Sequence, residues 1–162
     1  MAKEIAILAG GCFWGVEEIL RQIPGVLETE VGYCGGEMVS PTYEDIKKGT
    51  TNHAEAVKIE FENSQLSFEQ LLDYFFRLHD PTTLNRQGND TGTQYRSSIF
   101  CQTDEQKQTA GKKIEMVQNS GRWPRSLVTQ IAEKLPFYSA EKYHQDYLQK
   151  NPHGYNCHFL RD

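Results

Sequence analysis

The residues AILAGGCFWGVEEIL, positions 6–20, put Cys12 where an apolar strand turns through two glycines into a helix. The continuous apolar run Ile5–Ala9 suits a strand buried on both faces. Gly10 and Gly11 allow a tight turn and close backbone approach. Val16, Ile19, Leu20 and Ile23 then recur at i, i+3, i+4 and i+7, the mark of a helix with one core-facing stripe. Cys12 therefore sits at a helix N-terminus, where free N–H groups and the positive end of the helix dipole favour a thiolate, the nucleophilic form of the thiol.

A nucleophile needs a partner that handles protons, and Glu55 is a candidate. It shares parity with Val57, Ile59 and Phe61 in Ala54–Glu62, where apolar residues alternate with Lys58, Glu60 and Glu62. Strand alternation puts its carboxylate on the core-facing side, where desolvation raises the pKa and makes a proton donor at neutral pH. The competing placement is at the rim, with the side chain reaching solvent from the strand end. Tyr43, Asp80, Asp90 and Tyr95 lie in loops able to close over Cys12. Phenolic hydroxyls donate hydrogen bonds while their rings add apolar wall. Phe13 and Trp14 precede the helix stripe, so they can line a surface pocket; ordinary core packing is the alternative.

Strand and helix patterns alternate along the chain. Val26–Tyr33 reads as a second strand, Thr42–Lys47 as a short helix and Ala54–Glu62 as a third strand. Ser67 with Gln70 forms a capping box before a helix whose apolar face is Phe68, Leu71, Leu72 and Phe75. His79–Ser97 is a long polar loop, a feature of functional segments in compact domains. Strand Ser98–Cys101, helix Asp104–Asn119, strand Ser126–Ile131 and helix Ser139–Leu148 follow, ending in an irregular tail, Lys150–Asp162. The pattern predicts a two-layer arrangement, a mixed sheet with helices packed on it.

At 162 residues the chain is one domain, large enough for a core without disulfide staples. The formal net charge of −5 leaves no footprint for nucleic acid or an anionic membrane, and no run is long enough to span a bilayer. Residues 1–12 lack a signal-peptide pattern, so a reducing, cytoplasmic setting is expected. The four cysteines, Cys12, Cys34, Cys101 and Cys157, are widely spaced with no CxxC. Cys101 shares parity with Ile99 and reads as a buried apolar residue.

Other cysteine chemistries fit less well. A tyrosine phosphatase carries arginine six residues after its cysteine; here position 18 is glutamate. A dinucleotide site needs GxGxxG, which GGCFWG does not match. A cysteine hydrolase needs a histidine base, and sequence puts none of His53, His79, His144, His153 and His158 beside Cys12. His79 and His144 read as structural hydrogen-bonders. His153, Cys157 and His158 match no strong metal-ligand spacing, so no metal is expected. A thiol redox sensor built on Cys12 and Cys157 is a further alternative, but it leaves Glu55 and the tyrosines without a role.

Five segments fall in order and cover nearly the whole chain: GCFWG at 11–15, GYCGG at 32–36, PTYEDIKKGTTNHAEAV at 41–57, HDPTTLNRQGNDTGTQYRS at 79–97 and EKYHQDYL at 141–148. In them the chain closely resembles the methionine sulfoxide reductase A family, the peptide-methionine (S)-S-oxide reductases. The resemblance implies an α+β fold, a two-layer α/β plait with a ferredoxin-like core and long surrounding loops. It implies a single catalytic domain over residues 1–162 that reduces the S epimer of methionine sulfoxide, free or protein-bound, without a cofactor. By the same resemblance Cys12 attacks the sulfoxide sulfur and Glu55 protonates the oxygen. Tyr43 and Tyr95 hydrogen-bond that oxygen, Asp90 organises the polar network, and Phe13 and Trp14 hold the S-methyl group. The sulfenic acid left on Cys12 must then condense with a second thiol, giving a disulfide that an external reductant reopens. Cys157, in the glycine-containing tail NPHGYNCHFLRD, is the expected resolving thiol, reached by tail flexibility, with Cys34 as rival. Relatives often carry GYC in this tail, where Asn156 intervenes here. Thioredoxin is the reductant implied, and the chain is expected to act as a monomer.

Overall fold

The computed structural model describes residues 2–162. The first half contains β1 (Lys3–Gly10), α1 (Phe13–Leu20), β2 (Val26–Cys34), α2 (Tyr43–Lys47), β3 (Ala54–Glu62) and α3 (Phe68–Leu78). The second half contains a small hairpin, β4 (Arg86–Gln87) and β5 (Asp90–Thr91), then β6 (Ser97–Phe100) and α4 (Asp104–Asn119). After these come β7 (Gln130–Ala132), β8 (Phe137–Ser139) and α5 (Tyr147–Lys150).

Six strands form one sheet in the order β7-β6-β1-β3-β2-β8. β3 lies between β1 and β2 and runs antiparallel to both, so β1-α1-β2 is a split βαβ unit. β1 separates β3 from β6 in the same way, making β3-α3-β6 the second unit. Two interlocked units of this kind are the ferredoxin-like plait. The parallel β6–β7 pair makes the sheet mixed, as the alternating pattern predicts.

Strand parity decides where the core lies. Leu8, Val31, Tyr33, Val57, Ile59, Phe61 and Ile99 meet Phe13, Val16 and Leu20 of α1 and Leu71, Leu72 and Phe75 of α3. Ile7, Ala9, Cys34, Ala54, Ala56 and Phe100 form a smaller cluster on the opposite face. Both faces of β1 are thus buried at its C-terminal end, the end that carries Cys12. Thr42 with Asp45 and Ser67 with Gln70 close full capping boxes at the starts of α2 and α3.

The expected helix over Ser139–Leu148 does not form. Ser139 instead ends β8, which pairs antiparallel with the edge of β2. A single 3-10 turn, Lys142–His144, follows, and Asp146 takes a left-handed φ of 53° before the short α5. The side chains of this segment complete backbone elsewhere. Gln145 Oε1 accepts from Val31 N at 2.8 Å and Gln145 Nε2 donates to Val31 O at 2.8 Å, replacing a strand neighbour beyond the end of β8. Asp146 N donates to Glu17 Oε1 at 2.9 Å. Buried backbone groups must be paired, and that demand outweighs the helical preference of EKYHQDYL. The expected strand Ser126–Ile131 shrinks to β7 for a related reason. Val128 N donates to Pro81 O at 2.8 Å and Leu127 N to Gln118 Oε1 at 2.8 Å, so neither is available to the sheet.

Gln145→Ala leaves the Val31 N–H unpaired at the β2 edge, while Val31 O keeps its bond from Ala140 N at 2.9 Å. The variant should lose roughly 2 kcal/mol of stability, read from the urea midpoint. A midpoint equal to wild type would mean that water replaces Gln145 without cost.

Candidate active site

The turn from β1 to α1 requires glycine at position 11. Its φ is +104°, and a Cβ there would lie 2.7 Å from Gln87 Cγ. Cys12 is the N-cap of α1 and is only 9% exposed. The first free N–H groups of the helix divide between two acids. Phe13 N donates to Glu55 Oε1 at 3.2 Å, and the Trp14 backbone N–H lowers the neighbouring Cys12 thiol without capping it through a hydrogen bond. The helix end therefore holds the thiol and the carboxyl side by side.

Glu55 lies on the core side of β3, opposite Tyr33 of β2, and is 2% exposed. Of the two placements open from sequence, the buried one is observed. Burial pushes its carboxyl up to about 8, and the field of Asp90 adds to this while the Phe13 N–H opposes it. Glu55 thus carries a proton at neutral pH. The thiolate expected for Cys12 is not its resting form. Burial raises the Cys12 thiol well above the ordinary thiol range, followed by repulsion from Glu55, and these outweigh the lowering influence of the Trp14 N–H. A helix end of α1's modest length supplies a smaller effect than removal of the sulfur from water.

The two tyrosines come to the neighbourhood of Glu55 and Cys12 from separate elements. Tyr43 opens α2, and its backbone N donates to Glu141 Oε2 at 2.8 Å. Tyr95 ends a 3-10 turn, Thr93–Tyr95, after the β4–β5 hairpin. Both hydroxyls lie in the fields of Glu55, Cys12 and Asp90. Burial first, then those charges, pushes Tyr43 up to about 12 and Tyr95 higher, so both remain hydrogen-bond donors across the working pH range. Asp90, on β5, brings in the tail: Cys157 Sγ lies 3.7 Å from Asp90 Oδ2. Asp80 does not join this group. Its carboxylate accepts from Thr82 and Arg125 and organises the loop.

The aromatic pair divides its labour. Phe13 is fully buried in the core, with ring centroids 5.8 Å from Tyr33 and 5.2 Å from His144. Trp14 is half-buried, stacks on Tyr147 at 3.8 Å, and donates from Nε1 to His144 Nδ1 at 2.9 Å. Of the two, Trp14 offers open apolar surface, and Phe13 backs it.

The remaining cysteines are set apart. Cys34 is fully buried on the opposite face of the sheet, its Sγ 3.7 Å from Leu135 O, and burial pushes its thiol up to about 11. Cys101 packs in the main core beside Ile99, as its parity predicts. Among the described residues no histidine hydrogen-bonds the Cys12 sulfur, which removes the base that a cysteine hydrolase requires. His79 is bonded on both ring nitrogens, to Phe75 O and Ser97 Oγ at 2.7 Å each, and His144 holds the Trp14 indole.

Several contributors are not visible in the linear sequence. Glu141 accepts from the Tyr33 hydroxyl at 2.9 Å as well as from Tyr43 N, joining β2 to α2. Glu17 is buried and bridges Thr29 Oγ1 and Asp146 N. His158 anchors the tail, Nε2 lying 2.7 Å from Gly10 O. A polar residue on the apolar side of a helix is a usable signal for Glu17; the other two reveal themselves only through partners far away in sequence. Arg161 N donates to Arg77 O at 2.9 Å, and with His158 this holds Cys157 beside Asp90.

Such a site, a buried thiol beside a protonated carboxyl under tyrosine hydroxyls, belongs to the thiol-dependent reductases. The family model described as peptide methionine sulfoxide reductase matches residues 4–161. The chain is 51% identical to peptide methionine sulfoxide reductase MsrA 1 of Mesorhizobium japonicum over 99% of its length and 91% of the relative's. Its structure resembles that of Mxr1 from Saccharomyces cerevisiae in reduced form, with a TM-score of 0.92 and 38% identity over 99% of this chain and 93% of that one. Mxr1 in complex with Trx2 also matches, with a TM-score of 0.66 and 26% identity over 99% of this chain and 91% of that one. The chain belongs to the peptide methionine sulfoxide reductase family, in its MsrA branch, and is an oxidoreductase.

Glu55 has a folded-state pKa of about 8 against an ordinary value of 4.5. The folded form therefore binds more protons in that window, and the contribution of this group to stability falls as pH rises through it. Between pH 5 and 8 the loss should be on the order of 3 kcal/mol. Urea titrations at both pH values should show this slope in wild type and not in Glu55→Gln. Equal slopes in the two proteins would place the Glu55 pKa near that of a solvated carboxyl.

Proposed function

We propose that this MsrA-family enzyme reduces the S epimer of methionine sulfoxide, free or in oxidised proteins, with Cys12 as nucleophile and Glu55 as proton donor. One observation carries the reading: a thiol, a carboxyl protonated at neutral pH and two un-ionised tyrosine hydroxyls meet at the start of α1. A sulfoxide oxygen leaves sulfur only when protonated, so a nucleophile must have an acid beside it. The Tyr43 and Tyr95 hydroxyls hold the oxygen, Asp90 orders the polar network, and Trp14, backed by Phe13, packs the S-methyl group. Glu55 protonates the oxygen as Cys12 attacks sulfur, and it recovers a proton from the thiol. The hydroxyl then passes to the Cys12 sulfur as the transient sulfur–sulfur bond breaks, leaving methionine and a sulfenic acid on Cys12.

Cys157 resolves that acid as a Cys12–Cys157 disulfide. Its support is position, since it shares Asp90 with the site while Cys34 lies across the sheet. Thioredoxin reopens the disulfide, a reading favoured by the complex of Mxr1 with Trx2. The chain acts as a monomeric catalytic domain without a cofactor, in the reducing cytoplasm, where its four free cysteines remain thiols. Among the described residues no helix is long and apolar enough to cross a membrane.

A methionine-sulfoxide peptide incubated with enzyme and dithiothreitol should lose its S epimer only, and Cys12→Ser should abolish this. Consumption of the R epimer, or turnover by Cys12→Ser, would reject the assignment. The methionine-forming step should fall as pH rises through about 8, where Glu55 gives up its proton. Cys157→Ser should release one methionine per enzyme and then stop with thioredoxin as reductant.

A further inference from the structure

The proton of the resolving thiol has a built-in acceptor. Cys157 Sγ lies 3.7 Å from His158 Nδ1, and His158 Nε2 lies 2.7 Å from Gly10 O. A carbonyl only accepts, so Nε2 carries the hydrogen and Nδ1 presents a lone pair to the Cys157 sulfur. His158 is 7% exposed, and its ring is seated against Gly11 of the β1–α1 turn and Gly15 of α1. A Cβ on Gly11 would lie 3.0 Å from Nε2 and one on Gly15 would lie 2.6 Å from Nδ1. The glycines that flank Cys12 and Phe13-Trp14 thus also make room for this imidazole. Its backbone is fixed as well, His158 N donating to Asn156 Oδ1 at 2.9 Å.

We propose that His158 is the general base of the resolving step, taking the Cys157 proton at Nδ1 as the Cys157 sulfur attacks oxidised Cys12. The proposal rests on the reading that Cys157 resolves the sulfenic acid. The electron pair of Cys157 forms the S–S bond, the Cys12 S–O bond breaks, and the departing hydroxide regains the proton from the imidazolium as water. Cys12 sulfenic acid plus Cys157 thiol thus give a disulfide and one water.

The surrounding charges favour this acceptor over the nearby carboxylate. Asp90 Oδ2 is also 3.7 Å from Cys157 Sγ, but its charge raises the thiol, while the same charge stabilises an imidazolium on His158. An imidazole is also intrinsically the stronger base. Burial keeps His158 neutral, Arg161 acts in the same direction, and the Gly10 carbonyl and Asp90 oppose them. His79, the other titratable ring facing it, is held neutral with a pKa of about 3.

The test compares two rates in a single turnover of the whole protein with a methionine-sulfoxide peptide: methionine release and loss of the Cys157 thiol. Gln at 158 can keep a donor toward Gly10 O but has no basic nitrogen. In His158→Gln the ratio of disulfide formation to methionine release should fall at least tenfold. It should then climb about tenfold per pH unit through neutrality, because Cys157 must ionise unaided. In wild type the same ratio should be nearly flat from pH 6.5 to 7.5, below the range in which loss of the Glu55 proton slows methionine release, a measurement that needs no variant. A wild-type ratio in His158→Gln, or a tenfold-per-unit climb in wild type, would overturn the proposal. Cys157→Ser separates the two readings. A persistent Cys12 sulfenic acid upholds Cys157 as resolver, so that unchanged resolution in His158→Gln then counts against the base alone. A disulfide from Cys12 to Cys34 in Cys157→Ser would remove the resolver reading and the proposal with it.

Discussion

The hydrogen bond from Phe13 N to Glu55 Oε1 joins the start of α1 to the middle of the sheet, and the chemistry of the site depends on it. A helix N-terminus has N–H groups that nothing within the helix can satisfy. Here the Phe13 N–H meets a carboxyl that the sheet has removed from water, and the Trp14 N–H lowers the thiol beside it. Each interaction limits the other. A fully solvated Glu55 would be ionised and useless as an acid at neutral pH. A Glu55 buried without the Phe13 N–H would rise further and hold its proton too firmly to give it up.

The arrangement works against stability. Glu55, Cys12, Tyr43 and Tyr95 are all held un-ionised by burial; the field of Asp90 raises all four, and that of Glu55 raises the other three. The surrounding fold therefore has to be stiff. β1 is buried on both faces at the end where Cys12 emerges, and Phe13 is locked in the core. Glu141, Gln145 and Glu17 hold the segment after β8 against β2, α2 and α1. That segment in turn places His144 under the Trp14 indole. The polar loop 79–97 does the complementary task on the other side, its hairpin and 3-10 turn presenting Asp90 and Tyr95.

Repeating patterns were legible in the sequence because they report a local geometry. Strand β3 and helix α4 have the ends that alternation and helical spacing predict, and the Ser67–Gln70 box starts α3. The parity of Glu55 with Val57 and Ile59 placed its side chain correctly. Where prediction failed, at Ser139–Leu148, the residues are good helix formers whose side chains are taken by distant backbone. The irregularity of the tail was legible too, but its anchoring was not, since neither the Gly10 carbonyl nor Arg77 is near it in sequence.

By itself the sequence determined the alternating strands and helices, the glycine turn that presents Cys12 on a helix end, and the residues that chemistry requires. Periodicity and turn chemistry act over a few residues, and for that reason they can be read one segment at a time. Only the tertiary structure decided the protonation of the site and the position of Cys157. Desolvation depends on everything packed around a group, and it reversed the expectation of a resting thiolate at Cys12 while confirming a neutral Glu55. The tail lies where it does because His158 finds the Gly10 carbonyl, 148 residues away, and the open faces of Gly11 and Gly15, which no local pattern near the tail could announce.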